Sequence, residues 1–155
     1  MKKKKMKNNK RIFVTFQKEG LHRWPDAGNY PGVEFLANEH RHIFHFRVDL
    51  QVFHDDREVE FILFKRELEG LYTEGTLELD YKSCEMMADE LGSYIELNYP
   101  GRHFSIEVSE DGENGCLVEF INTDPTPNLA EYKASGKVFS DGRGGIYQVD
   151  ESGQV

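Results

Sequence analysis

From Arg11 onward the chain alternates apolar and polar side chains, and the period changes twice. RIFVTFQ, residues 11–17, alternates with β-branched and aromatic residues on one side and predicts a first strand. KEGLHRWPDAGNYPG follows with glycines and prolines and reads as a long loop. HIFHFRVDLQVF then alternates again over a second, long strand. Successive strand side chains point to opposite faces, so His40 and His42 share a face with Phe44, Phe46, Val48, Leu50 and Val52. Arg41, His45, Arg47, Asp49 and Gln51 fall on the other.

After a turn at FHDDRE the period lengthens. Phe61, Phe64, Leu68 and Leu71 recur at helical spacing and predict a helix over 61–71. Ser83 is placed to cap a second helix, whose apolar face is Cys84, Met87, Ala88, Leu91 and Ile95 and which NYPG stops. Met86 and Met87 read as core filling. RHFSIEVS and GCLVEFI, separated by EDGEN, form a closing hairpin. The order β-β-α-α-β-β defines an α+β domain over 11–122: four antiparallel strands with two helices on one face.

The flanks differ from this domain. Residues 1–10 are a basic arm expected to be mobile, and 123–155 form a polar tail rich in Gly, Asp and Ser, in which KVFSDGRGGIYQV suits a small hairpin. The polar face of the second strand is too regular for accident and too polar for a second core. A barrel closed with other copies of the chain would use it and would remove open sheet edges, which implies a homo-oligomer, trimer or hexamer.

Charge narrows the partners. With 28 acidic against 19 basic residues, a net charge of −9, non-specific nucleic-acid binding is not expected. KKKK at 2–5 leads into no apolar segment, and no stretch has the length of a membrane span, so the expectation is a cytoplasmic protein without membrane association. Cys84 and Cys116 are too few for a disulfide framework and read as buried thiols.

The histidines carry the chemistry. His40 and His42 either finish the apolar stripe as aromatic-like side chains or present two imidazoles to a metal at its edge. In the second reading His22 is the natural third ligand, because antiparallel pairing brings the end of the first strand to the start of the second. Three imidazoles leave a fourth position open, the pattern of catalytic rather than structural zinc. His45, His54 and His103 are explained without a metal, as polar or surface residues.

His40-Arg41-His42-Ile43-Phe44, followed by alternation and then Glu60-Phe61 opening a helix, resembles the HGH motif, strand and D-F-x-x-L-K segment of the 6-pyruvoyl-tetrahydropterin and 6-carboxytetrahydropterin synthases. LHRW around His22 is similar to their first zinc histidine, SCEMMA at 83–88 to their T-x-E-x-x-A helix start, and SEDGENGCLV at 109–118 to the segment with their substrate-anchoring glutamate. The likeness runs in order through 11–121.

The resemblance implies the T-fold, a hexamer favoured over a trimer, zinc on His22, His40 and His42, and Glu110 holding the guanidine-like edge of a pterin or purine. A carboxylate suits that edge because it accepts two parallel hydrogen bonds. Ser83 and Arg41 are further candidate ligand contacts.

Departures from the family pattern are specific. Leu36 stands where the family has its reactive cysteine, and the family's L-D-H triplet survives only as Leu79-Asp80-Tyr81. Neither cysteine of this chain can replace the missing one by sequence position. Synthase chemistry is therefore not expected, and Glu39, Asp80 and Tyr81 are the candidate proton carriers. Three functions follow: a zinc-dependent enzyme, a lyase or hydrolase acting on a pterin- or purine-like molecule; a protein that binds or sequesters such a ligand; or a structural oligomer with adventitious metal.

Overall fold

The computed structural model describes residues 8–123 and the strand residues 137–140 and 146–149. Strand β1, Arg11–His22, pairs antiparallel with β2, His40–Gln51, along the whole length of both. Between them the loop carries two short 3-10 turns, Pro25–Asn29 and Glu34–Ala37. Helix α1, Phe61–Glu69, leads to a short strand β3, Leu77–Asp80, then helix α2, Cys84–Asn98, and the hairpin β4, Phe104–Glu110, with β5, Asn114–Phe120.

The sheet order is β3-β1-β2-β4-β5, with β3 parallel to β1 and the other pairs antiparallel. This α+β sheet is five-stranded and mixed where the pattern predicted four antiparallel strands. LELD is too short for its alternation to stand out from a link. The first strand also runs five residues beyond 17, because pairing with β2 on one side and β3 on the other satisfies the backbone of a segment that reads locally as loop. Gly20 shows why a glycine interrupts it: a Cβ there would lie 2.6 Å from Leu79 Cδ1 and 3.0 Å from Phe44 Cε2, so the close approach of β3 requires its absence.

One sheet face and both helices share a single core. Val14, Phe16, Phe44, Phe46, Val48 and Leu50 meet Phe64 and Leu68 of α1 and Met87, Ala88, Leu91 and Ile95 of α2. Phe16 stacks on Phe46 with ring centroids 4.7 Å apart. The predicted apolar face of α2 is buried throughout and Ser83 caps the helix, its hydroxyl accepting from the Met86 N–H at 3.2 Å, but of the two methionines read as core filling only Met87 is buried and Met86 is exposed. On α1 the expectation fails at both ends: Phe61 is exposed, and the helix stops at Glu69 before Leu71, which is buried beyond it. The first turn of α1 is instead held by the Glu60 carboxylate, which accepts from the Leu63 N–H at 2.9 Å.

The opposite sheet face is polar, as its sequence indicates. The Arg11 guanidinium donates to Asp49 at 2.7 Å, Asp49 also accepts from the Ser105 hydroxyl, and Arg47 lies over the Phe13 ring, 4.1 Å from its centroid. In the C-terminal segment Lys137–Ser140 pairs antiparallel with Ile146–Val149. Of the basic arm at 1–10, residues 1–7 lie outside the described residues, as does the remainder of the tail, while the Lys10 carbonyl accepts from the Val52 N–H at 2.9 Å.

Candidate metal centre

Register assembles the centre. His22 and His40 are direct partners across β1 and β2, Gly20 is the partner of His42, and Glu110 is the partner of Phe44 across β2 and β4. The side chains of His22, His40, His42 and Glu110 therefore lie on the core face at one end of the sheet. The ring centroids are 4.6 Å apart for His22–His40, 4.9 Å for His40–His42 and 5.3 Å for His22–His42. One ring nitrogen from each lies within 4.8 Å of the others, so the three could hold one metal ion.

The hydrogen bonds behind the rings decide what faces the shared point. His22 Nδ1 is 2.8 Å from the Lys82 carbonyl, His40 Nδ1 is 2.8 Å from the Asn38 carbonyl, and His42 Nδ1 is 2.7 Å from Asp111 Oδ2. Each partner is an acceptor, so each Nδ1 is the donor. In the neutral ring the proton is then on Nδ1 and the lone pair on Nε2 is free. This is how metal-ligating histidines are commonly oriented.

At the front, His22 Nε2 and His42 Nε2 are buried without hydrogen-bond partners. The nearest charged group is Glu110, whose Oε1 is 3.2 Å from His22 Nε2 and whose Oε2 is 3.4 Å from His42 Nε2. Two lone pairs facing one carboxylate repel unless a cation or proton lies between them, and burial makes an unpaired arrangement costly. The donor set thus fits a borderline cation such as zinc, which takes neutral imidazole readily. Burial holds His22 below the ordinary histidine range, partly offset by the Lys82 carbonyl and the Glu110 carboxylate, and so favours its neutral, ligating form.

A cavity of about 280 Å³ opens beside the histidines, lined among others by His22, His40, Glu110, Ser83 and Tyr81. Its walls depend on β3. The Asp80 carbonyl accepts from the Arg23 N–H at 2.7 Å, which locks the end of β3 to the end of β1 and brings Tyr81, Lys82 and Ser83 over His22. The loop wall is fixed similarly, by the Trp24 N–H donating to the Leu36 carbonyl at 2.7 Å. Leu36 and Cys84 both line the cavity. The Cys84 thiol, which sequence position alone had set aside, is pushed up to about 12, by burial first and then by the Glu110 carboxylate.

Not every candidate arrives. Arg41 lies on the opposite sheet face, largely exposed, with its guanidinium 3.4 Å from Glu19, and does not line the cavity beside the histidines. Alternation on β2 sends it away from its two histidine neighbours. Glu39 is exposed just before β2 and does not line the cavity. Asp80 is exposed, has φ +53° and pairs with Arg23 at 3.4 Å, leaving Tyr81 as the one of the three candidate proton carriers in the cavity wall.

Sequence reasoning also missed Asp111. Its signal was the Asp-Gly pair in the hairpin turn, read there for its backbone conformation alone. His45 and His103 are not part of the centre; His103 Nδ1 accepts from the Asn122 N–H at 3.0 Å.

No protein-family model matches the chain, and no curated protein matches it. Among the described residues no helix is long and apolar enough to cross a membrane.

Proposed function

We propose that this chain is a divergent T-fold protein of the pterin-synthase-like group, which binds zinc through His22, His40 and His42 and takes a pterin- or purine-like small molecule into the adjoining cavity. The observation that carries the reading is the convergence of Nδ1-oriented imidazoles on a buried point beside Glu110. Glu110 supplies a carboxylate for an N–C–N edge, and the Ser83 region and Tyr81 complete the wall. Bound zinc would supply Lewis-acid polarisation of a ligand oxygen. Tyr81 is the candidate proton carrier, while Glu110 and the cavity walls orient the ring and limit access of water.

A second reading is favoured by Leu36. A hydrocarbon in the cavity wall, where the resembled family has its cysteine, neither attacks nor carries a proton, which suits a protein that binds or sequesters the ligand without turnover. In both readings the polar sheet face and the open edge of β5 support assembly into a trimer or hexamer, and the two free cysteines suit a reducing cytoplasm.

The test combines metal analysis of untagged protein with thermal shift and turnover against a panel of pterins and purines. Stoichiometric zinc together with stabilisation by a member of the panel, lost in Glu110→Gln, supports the reading. Turnover separates enzyme from binder. Absence of both metal and stabilisation overturns it, and a monomer by light scattering overturns the barrel.

A further inference from the structure

Two of the three histidines are oriented by backbone carbonyls, of Lys82 and Asn38, which no side-chain substitution removes. His42 differs: its Nδ1 is held by the Asp111 carboxylate at 2.7 Å. Asp111 opens the β4–β5 turn with φ +56°, followed by Gly112 at φ +73°, and the Glu113 N–H donates to the Glu110 carbonyl at 3.0 Å. Two successive residues at positive φ across such a bond make a type I′ turn. That turn folds Asp111 back against the start of β2, with its side chain still about half exposed. The Asp111 N–H donates to the Ile43 carbonyl at 2.8 Å, and Asp111 Oδ1 accepts from the Ile43 N–H at 2.9 Å. With one oxygen anchored on backbone, the other is fixed against His42 Nδ1, behind the ring.

From this geometry we infer that Asp111 is a positioning residue for the metal centre, which sets the tautomer and ring orientation of His42 so that Nε2 offers a lone pair. The inference rests on the metal reading above but is testable apart from it. A carboxylate only accepts, so it selects the Nδ1–H form of the ring. Asparagine at 111 can keep the anchor, its carbonyl oxygen accepting from Ile43, but then directs its NH₂ at His42. The imidazole must answer with an Nδ1 lone pair, which moves the proton to Nε2, where the metal would bind. Turning the amide round would set its NH₂ against the Ile43 N–H, donor against donor. Asparagine is also among the residues that tolerate positive φ, so the turn itself is retained.

The experiment records the ring-nitrogen NMR spectrum of His42 in metal-free protein, and zinc affinity by competition with a chromophoric chelator, for the native chain, Asp111→Asn and Asp111→Gly. Expected are an Nδ1–H ring in the native chain, an Nε2–H ring in Asp111→Asn, and a loss of zinc affinity on the order of 10–100-fold in that variant, the range that removal of such orienting partners commonly costs. Asp111→Gly, compatible with φ +56°, should lose affinity without a fixed tautomer. An unchanged tautomer or unchanged zinc affinity in Asp111→Asn overturns the inference. A tautomer switch in a protein whose native form does not bind zinc overturns the metal reading and leaves only the orientation of His42 by Asp111.

Discussion

His22 and His40 are directly opposed residues of β1 and β2, their rings 4.6 Å apart at an interplanar angle of 69°. The pair is made by register alone: a slip of one residue would move one ring to the far face of the sheet. With His42 two positions on, a cross-strand pair becomes a three-imidazole cluster over the end of the core. The structure beneath that cluster is an apolar core built without the three imidazoles, so folding and metal binding can be measured separately.

His42→Ala should lose zinc while the domain stays folded. His42 lies at the edge of the apolar stripe, and Phe44, Phe46, Val48 and Leu50 remain to pack against the helices. Metal analysis of the untagged variant, paired with circular dichroism, checks both halves. Stoichiometric zinc in this variant would refute the ligand assignment.

Metal-free protein should gain stability as pH rises toward neutrality. Unfolded, His22 titrates near 6.5, and burial lowers that value in the fold. Between the two values the unfolded chain binds more protons, so stability rises with pH in that window. The contribution is complete above about 6.5 and is lost as pH falls through the folded value. Urea midpoints measured from pH 5 to 8 in chelator follow this, and His22→Gln should flatten the slope.

Synthase turnover should be absent. Leu36 lines the cavity, at the position where the resembled synthases have their reactive cysteine, and the Cys84 thiol in the same wall is held protonated by burial and by Glu110. Purified protein should therefore convert neither 7,8-dihydroneopterin triphosphate nor 6-pyruvoyl-tetrahydropterin. Robust conversion of either, followed by chromatography of the products, would count directly against the role assigned to Leu36.

Gly20→Ala should destabilise the fold by about 1–3 kcal/mol, the usual range for an extra methyl forced into a packed core. The added Cβ would collide with Leu79 and crowd Phe44, pressing β3 away from β1. Since β3 leads Lys82 to the back of His22, zinc affinity should fall as well. Denaturant unfolding and metal titration give the two numbers, and native behaviour in both would mean that β3 yields without strain.

Much of this was legible in the chain itself. Alternation from Phe44 to Leu50 and the spacing from Cys84 to Ile95 are local periodicities of 2 and 3.6, so the strand, the second helix and their buried faces follow from sequence. Ser83 as a cap and the candidate trio His22, His40 and His42 follow too, because antiparallel neighbours bring those ends together. Other features belong to tertiary structure. The parallel docking of Leu77–Asp80 on β1 joins segments more than fifty residues apart and has no periodic signature in four residues. The contact of Glu110 with His22 and His42, and that of Asp111 with His42, required the β2–β4 register, which local pattern does not encode. The proton on each Nδ1 was decided last, by the Lys82 and Asn38 carbonyls and the Asp111 carboxylate: a side chain's type is written in the sequence, but which of its two nitrogens is free depends on the acceptor that folding sets behind it.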